Sequence, residues 1–307
     1  MSGAGPAVGL DRASTSMVGS ALAFATMGAL VHALGSRTDW LTVALVRAVV
    51  MLVTAATLAR ASGARLAIWR PGTLWVRSLA GSFSLVCNFY ALARLPVTDA
   101  VTLMNVHPLW IVLISAAVLR RSPSPAEAVG VACGLAGVVL IERPQPGMDR
   151  LAAAVAVLSS ASTAVAMLGL HRLRHLDTRA VVAHFAGVAS LISAAWLLIR
   201  GQAPLPSLFE RDTLLMLLGV GATGTIGQIL LTRAYAAGPP AKVAVVGLTQ
   251  VVFAMGFDVA LWGRTLTPIT LAGFALVLAP TTWLSIRSAA RTPLEPVEPL
   301  PPEDAHL

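Results

Sequence analysis

Ten apolar stretches, most of them long enough to cross a bilayer as a helix, follow one another through the chain and constrain its fold more than any other feature. They run approximately over residues 18–34, 41–59, 73–92, 98–119, 126–141, 150–170, 179–199, 213–236, 241–262 and 268–286. A spanning helix needs about 20 predominantly apolar residues. The pattern therefore predicts an all-α integral membrane protein with ten transmembrane helices. Pro96, Pro123, Pro125, Pro144, Pro146, Pro204, Pro206, Pro239 and Pro240 all fall in the joints, where the missing amide donor does least harm. Pro108 and Pro280 are the interior exceptions. Continuous apolar runs argue against a β-barrel, whose strands are short and alternate polar with apolar residues.

Composition supports the same class: 56% of the residues are hydrophobic and 12% are charged, which leaves no room for a soluble catalytic domain between spans. The first span reads as an uncleaved helix behind a cytoplasmic tail, residues 1–17. The tail over 288–307, rich in Pro and Glu, is expected to be disordered. Cys87 and Cys133 both lie inside spans and offer no disulfide framework. A net charge of +8 could suggest nucleic acid, but no basic run is long enough to form a binding face, so no such partner is expected.

The charge is better read as topology. With the N-terminus in the cytoplasm, thirteen of the 22 basic residues, Arg77 counted among them, fall in inside loops and tails, and seven fall outside. Both termini are therefore expected in the cytoplasm, with the chain in the cell (inner) membrane. Six of the seven tryptophans lie near span ends, where the amphipathic ring prefers the headgroup layer, and Trp110 does not.

Shifted against itself by 143 positions, the chain aligns from Tyr90 with the segment from Arg233 without a gap, placing Pro96 on Pro239, Arg121 on Arg264, Pro125 on Pro268 and Gly130 on Gly273. Two five-helix repeats are expected, over 18–142 and 149–287. An odd number of spans per copy forces the second copy into the membrane upside down. Inverted repeats of this kind mark secondary transporters, with the substrate site near the midplane where the copies meet.

Three features carry a resemblance: the repeat itself, "YALARLPVTDAVTL" joining spans 3 and 4 with "HP" midway along span 4, and "GVACGLAGVVLI" in span 5. The chain resembles the EamA type of the drug/metabolite transporter superfamily, over residues 18–287. The resemblance implies carriage of a small organic metabolite, the family's substrates including amino acids, nucleotide-derived metabolites, vitamins and drugs. Where that family usually ends spans 4 and 9 in an acidic residue, this chain has Arg120 and Arg121, and Gly263 and Arg264.

The candidate substrate contacts are His107, Gln250, Asn88, Gln228, Arg47 and Trp110. His107 lies about 14 Å along span 4, near the bilayer centre. The repeat alignment pairs it with Gln250 at similar depth in span 9. Pro108 should free the carbonyl of Met104 and bend the helix. In an unbroken helix Asn105 sits about 200° around from His107, so it is expected to face a neighbouring helix instead. One face of span 3 carries Arg77, Gly81, Ser84 and Asn88, and one face of span 8 carries Gly221, Thr225, Gln228 and Thr232; each face would suit a polar cavity or close packing equally. Arg47, about 10 Å inside span 2, is either functional or snorkels outward. Asp258, His184 and His32 lie within about a turn of span ends, where interfacial solvation is the expected role.

No catalytic residue, metal or cofactor is expected. An intramembrane enzyme would need paired acids or a nucleophile with its base at depth, and the sole lysine, Lys242, sits at the start of span 9, too shallow for a buried Schiff base. The leading expectation is a secondary transporter working by alternating access between the repeats. The alternative is a non-transporting membrane sensor or scaffold that binds a small metabolite. Membrane lipid and a small-molecule metabolite are the expected partners.

Overall fold

The computed structural model describes residues 6–35, 37–64, 69, 71–118, 149–201, 210–238, 246–269 and 271–276, with isolated positions between 125 and 140 and at 243, 278, 279 and 283. Within them run α1 (Pro6–Leu34), α2 (Trp40–Ala61), α3 (Gly72–Leu92), α4 (Val97–Met104), α5 (His107–Val118), α6 (Arg150–Arg172), α7 (Thr178–Arg200), α8 (Arg211–Ala237) and α9 (Thr249–Trp262). The protein is an all-α membrane protein, and no strand occurs among the described residues. The expected fifth and tenth spans, 126–141 and 268–286, fall largely outside them.

Five segments are long and apolar enough to cross a bilayer: Arg12–Leu34, Trp40–Ala61, Arg150–Leu170, Thr178–Arg200 and Arg211–Ala237. The 21-residue α3 is equally long but carries Arg77, Ser78, Ser82, Ser84 and Asn88. All but Asn88 are buried, so its polarity is spent inward. The outside of the bundle is apolar instead, with Leu198 and Ile199 each 81% exposed. A soluble fold could not tolerate that arrangement, whereas lipid requires it.

Aspartates begin three of the helices, because a side-chain oxygen there accepts amide donors that have no intrahelical partner. Asp39 accepts from Leu41 N at 3.0 Å, Asp149 from Ala152 N at 3.0 Å, and Asp177 from Arg179 N at 2.7 Å.

The contacts also establish the inversion. Along α1 and α8, Gly19 meets Leu230, Gly227 meets Phe24 and Gly219 meets Leu30, so these helices are antiparallel. Along α3 and α6, Arg77 meets Gly169 and Asn88 meets Ser159, again antiparallel. Along α2 and α7, Leu58 meets Arg179 and Leu52 meets Gly187. Of these pairs α2 and α7 are counterparts in the repeat; because α1 and α3 end together, with Gly28 against Leu92, α6 also runs opposite to its counterpart α1, and α8 opposite to α3. Small residues permit the close approach: a Cβ added at Gly227 would stand 2.9 Å from the Phe24 ring.

Span 4 is not one helix but two, α4 and α5, separated by a turn at Asn105 and Val106. In the second copy Val243, Val246 and Gly247 are helical, Leu248 is a turn, and α9 starts at Thr249. Leu248 is Asn105 shifted by 143 positions. The two copies are broken at the same place.

Candidate functional site

The break in span 4 comes from Pro108 acting through its neighbours. A proline has no amide to donate to the carbonyl four residues earlier and is well suited to a helix's first turn. Accordingly α4 tightens and ends, with Val106 N donating to Leu103 O at 3.3 Å, and α5 begins at His107. The carbonyl of Met104, which has no proline N–H to accept, lies 3.3 Å from His107 Nδ1. A carbonyl can only accept, so this contact places the ring proton on Nδ1.

His107 lines a cavity of about 160 Å³ at the centre of the bundle. Room on that scale holds a cluster of waters or a small organic molecule. The cavity is walled by α1, α2, α3, α6, α7 and α8, and by the broken spans of both copies through Met104, Asn105, His107, Gly247 and Gln250. Of the sequence candidates it brings together His107, Gln250, Asn88, Gln228 and Arg47. Trp110 stands outside this lining, its indole N–H donating to Ser160 Oγ on α6 at 2.9 Å.

All four residues of the α3 face, Arg77, Gly81, Ser84 and Asn88, line the cavity. Asn88 is held from two sides, by Ser84 at 3.5 Å and by the Ser159 hydroxyl, which donates to its Oδ1. Ser84 in turn is 2.6 Å from Thr163 on α6. The α8 face divides. Gln228 lines the cavity, whereas Thr225 and Thr232 turn back onto the carbonyls of Gly221 and Gln228 at 2.7 and 2.8 Å, and Gly221 lies against Val50.

Two expectations are corrected here, for Asn105 and Arg77, and the open alternative at Arg47 is decided. Asn105 faces the cavity beside His107, because the turn between them ends the regular 100° advance on which their separation rested. Arg47 does not snorkel: it is 4% exposed and lines the cavity. Arg77 belongs to no loop, being 1% exposed on α3, with its guanidinium carbon 4.1 Å above the Phe185 ring. Arg47 stands 5.9 Å from the ring of Phe89 in the same manner. Glycines make space for both cations. A Cβ at Gly81 would lie 2.9 Å from Arg77 Nη1, and one at Gly224 would lie 2.7 Å from Arg47 Nε. These glycines are themselves 143 positions apart, one in each copy.

A second polar cluster lies at the far end of α9 and escaped sequence reading. Asp258 is 2% exposed, and its carboxylate accepts from Val97 N at 3.1 Å and Thr98 N at 2.8 Å, so it caps α4 from the opposite copy. Gly263, at φ +60°, reverses the chain after α9 in a conformation that favours glycine. Arg264 is thereby brought to Asp99 at 2.7 Å and to Asp258 at 3.3 Å. Asp258 is thus a buried helix cap and ion-pair partner, not a solvated interfacial residue. The available signal was an aspartate in the first turn of span 4, but nothing in the sequence joins it to positions 258 and 264.

His32 and His184 make packing contacts away from the cavity, not the interfacial solvation expected of them. His32 Nδ1 lies 3.1 Å from Leu92 O with its ring edge-on to Trp262, and His184 Nδ1 lies 2.8 Å from Ser78 Oγ and edge-on to Trp75. Among the described residues no group of three or more His, Cys, Asp or Glu is placed to hold a metal.

Comparison with known proteins agrees with this architecture. A pseudopaline exporter of Pseudomonas aeruginosa is 28% identical over 265 residues, covering 85% of this chain and 92% of that one. An uncharacterized transporter of Helicobacter pylori is 27% identical over 208 residues, covering 66% and 69%. A solved crystal structure with 20% identity superposes with a TM-score of 0.63 over 92% of this chain and 98% of that chain, a likeness of fold. The model of the EamA-like transporter family matches residues 12–143 and again 150–286, one match to each copy. The chain is a multi-pass membrane protein that belongs to the EamA-like transporter family.

Proposed function

We propose that the protein is a secondary transporter that moves a small organic metabolite across the cell membrane by alternating access of the central cavity, with both termini cytoplasmic. The observation that carries this reading is the cavity itself, formed where two inverted copies meet and lined from each by a broken span. Discontinuous helices at the midplane provide backbone and side-chain polar groups where continuous helices would not. His107, Gln250, Asn88, Gln228 and Arg47 are the proposed substrate contacts.

The cluster of Asp99, Asp258 and Arg264 supports the same mechanism. It ties the start of α4 in one copy to the end of α9 in the other, across the seam that rocking of the copies must open. Parting the copies there breaks a bounded set of charged contacts, which suits a reversible closure.

Reconstituted into liposomes, the protein should show saturable flux or counterflow of its substrate. His107→Ala and Gln250→Ala should each reduce that flux by about tenfold or more, the effect of losing one good polar contact, with folded yield unchanged. Wild-type flux in both variants would remove them from the site. A metabolite that binds and never crosses would favour the sensor reading.

A further inference from the structure

We propose that the cavity binds a small organic anion, with Arg47 and Arg77 holding its carboxylate or phosphate oxygens; this rests on the transporter reading for its consequence but not for its chemistry. Four buried side-chain nitrogens among the cavity-lining residues have no hydrogen-bond partner: Arg47 Nε, Arg77 Nε, Arg77 Nη1 and Gln228 Nε2. All four are donors, and none of the unpartnered atoms in that lining is an acceptor. A ligand that completes this site must therefore bring acceptors.

Charge makes the same demand. Both guanidiniums belong to residues at most 4% exposed. Neither takes part in an ion pair among the described residues, and no aspartate or glutamate among them lines the cavity. Asp99 and Asp258, the buried carboxylates among the described residues, are already engaged by Arg264 and by the amides that open α4. Burying a cation without a counter-charge is costly, and two in one cavity compound the cost. Stacking on Phe185 and Phe89 offsets part of it but adds no negative charge. Planar guanidinium forks match carboxylate and phosphate oxygens in pairs.

The rest of the lining describes the body of the ligand. Phe24, Phe89, Phe185, Leu85 and Met104 supply apolar wall, whereas a site for a bare inorganic ion would have no use for it. Asn88, Gln250 and His107 can read hydroxyl or amide groups on the same skeleton. The expected substrate carries one or two negative charges on a compact, partly apolar frame.

The test measures thermal unfolding of the purified full-length protein in lipid nanodiscs with glutarate, benzoate, phenylsuccinate and glycerol 3-phosphate. The amide and amine counterparts of the carboxylates and sodium chloride serve as comparisons. Saturable stabilisation by at least one organic anion, absent for its amide and amine, is the expected result, and the carboxylate and phosphate arms separate the two oxyanion sources. Arg47→Gln and Arg77→Gln should each weaken that response by about tenfold or more. The proposal fails if amides or amines stabilise as well as the anions do, if chloride does, if no anion acts, or if the response survives the double substitution. Should the variants not fold, the wild-type panel still decides. Counterflow in liposomes separates the two readings: saturable flux of neutral or cationic solutes alone would overturn the anion assignment and leave transport standing, whereas anion binding without flux would do the reverse.

Discussion

At the residue scale, the site depends on two arginines being given room inside the bilayer, and the room comes from glycine. A methyl group at residue 224 would stand 2.7 Å from Arg47 Nε and 3.0 Å from Met27 Sδ. Gly224→Ala should therefore displace the guanidinium and destabilise the protein by about 1–3 kcal/mol, the usual cost of overpacking, read as a lowered unfolding temperature in detergent. Gly256→Ala is the control, because nothing lies within 4 Å of a Cβ there, and its stability should hold or rise. His107 and Gln250 were legible in advance because polar residues in hydrocarbon are few and the repeat alignment pairs them. Asn105 was misplaced because helical angles hold only while the helix does. That Arg47 lies within span 2 was legible, but whether its stem turned to lipid or to a cavity depended on the opposing glycine, 177 residues away.

At the element scale, α4 illustrates how a helix of 8 residues persists in the middle of a membrane protein. Its first amides are capped by Asp258 from the other copy, so its stability is borrowed across the seam. Asp258→Ala should cost about 1–3 kcal/mol through unsatisfied amides alone and more through the orphaned Arg264, measured by thermal unfolding. Arg264→Gln should be worse than the double variant Asp99→Asn with Arg264→Gln. The single change leaves two buried carboxylates facing each other without a cation, and breaking a buried pair costs about 3–5 kcal/mol, part of which the second change recovers. Equal unfolding temperatures for the single and double variants would show that Asp99 and Arg264 are not coupled. The break between α4 and α5 was foreshadowed by Pro108, but the matching turn at Leu248 was not, since no proline marks it.

At the scale of the whole molecule, the cavity and the ionic cluster lie at different depths. From the centre of the bundle the cavity extends, through Met17, Arg77, Met167 and Tyr235, toward the end where α1 begins and α8 finishes. The cluster lies toward the other end, beside the ends of α3 and α9. A cysteine replacing Met17, with Cys87 and Cys133 changed to alanine, should react with a membrane-impermeant maleimide from the α1 side. Adding Arg264→Gln should raise labelling of a cysteine at position 105 from the opposite side, and unchanged labelling would deny the cluster its role in closure. The membrane class, the duplication and its inversion were readable from the chain alone, because they follow from segment length, apolar content and an odd span count. The polar face of α3 and the pair His107 and Gln250, singled out from the chain alone, all border one cavity. Which polar groups share a cavity, that Asp258 caps a helix of the other copy, and that two arginines line the cavity with no acid among its described residues came from the packing of the helices. Those outcomes depend on which helices touch, and contact between residues far apart in the chain leaves no periodic trace in a single sequence.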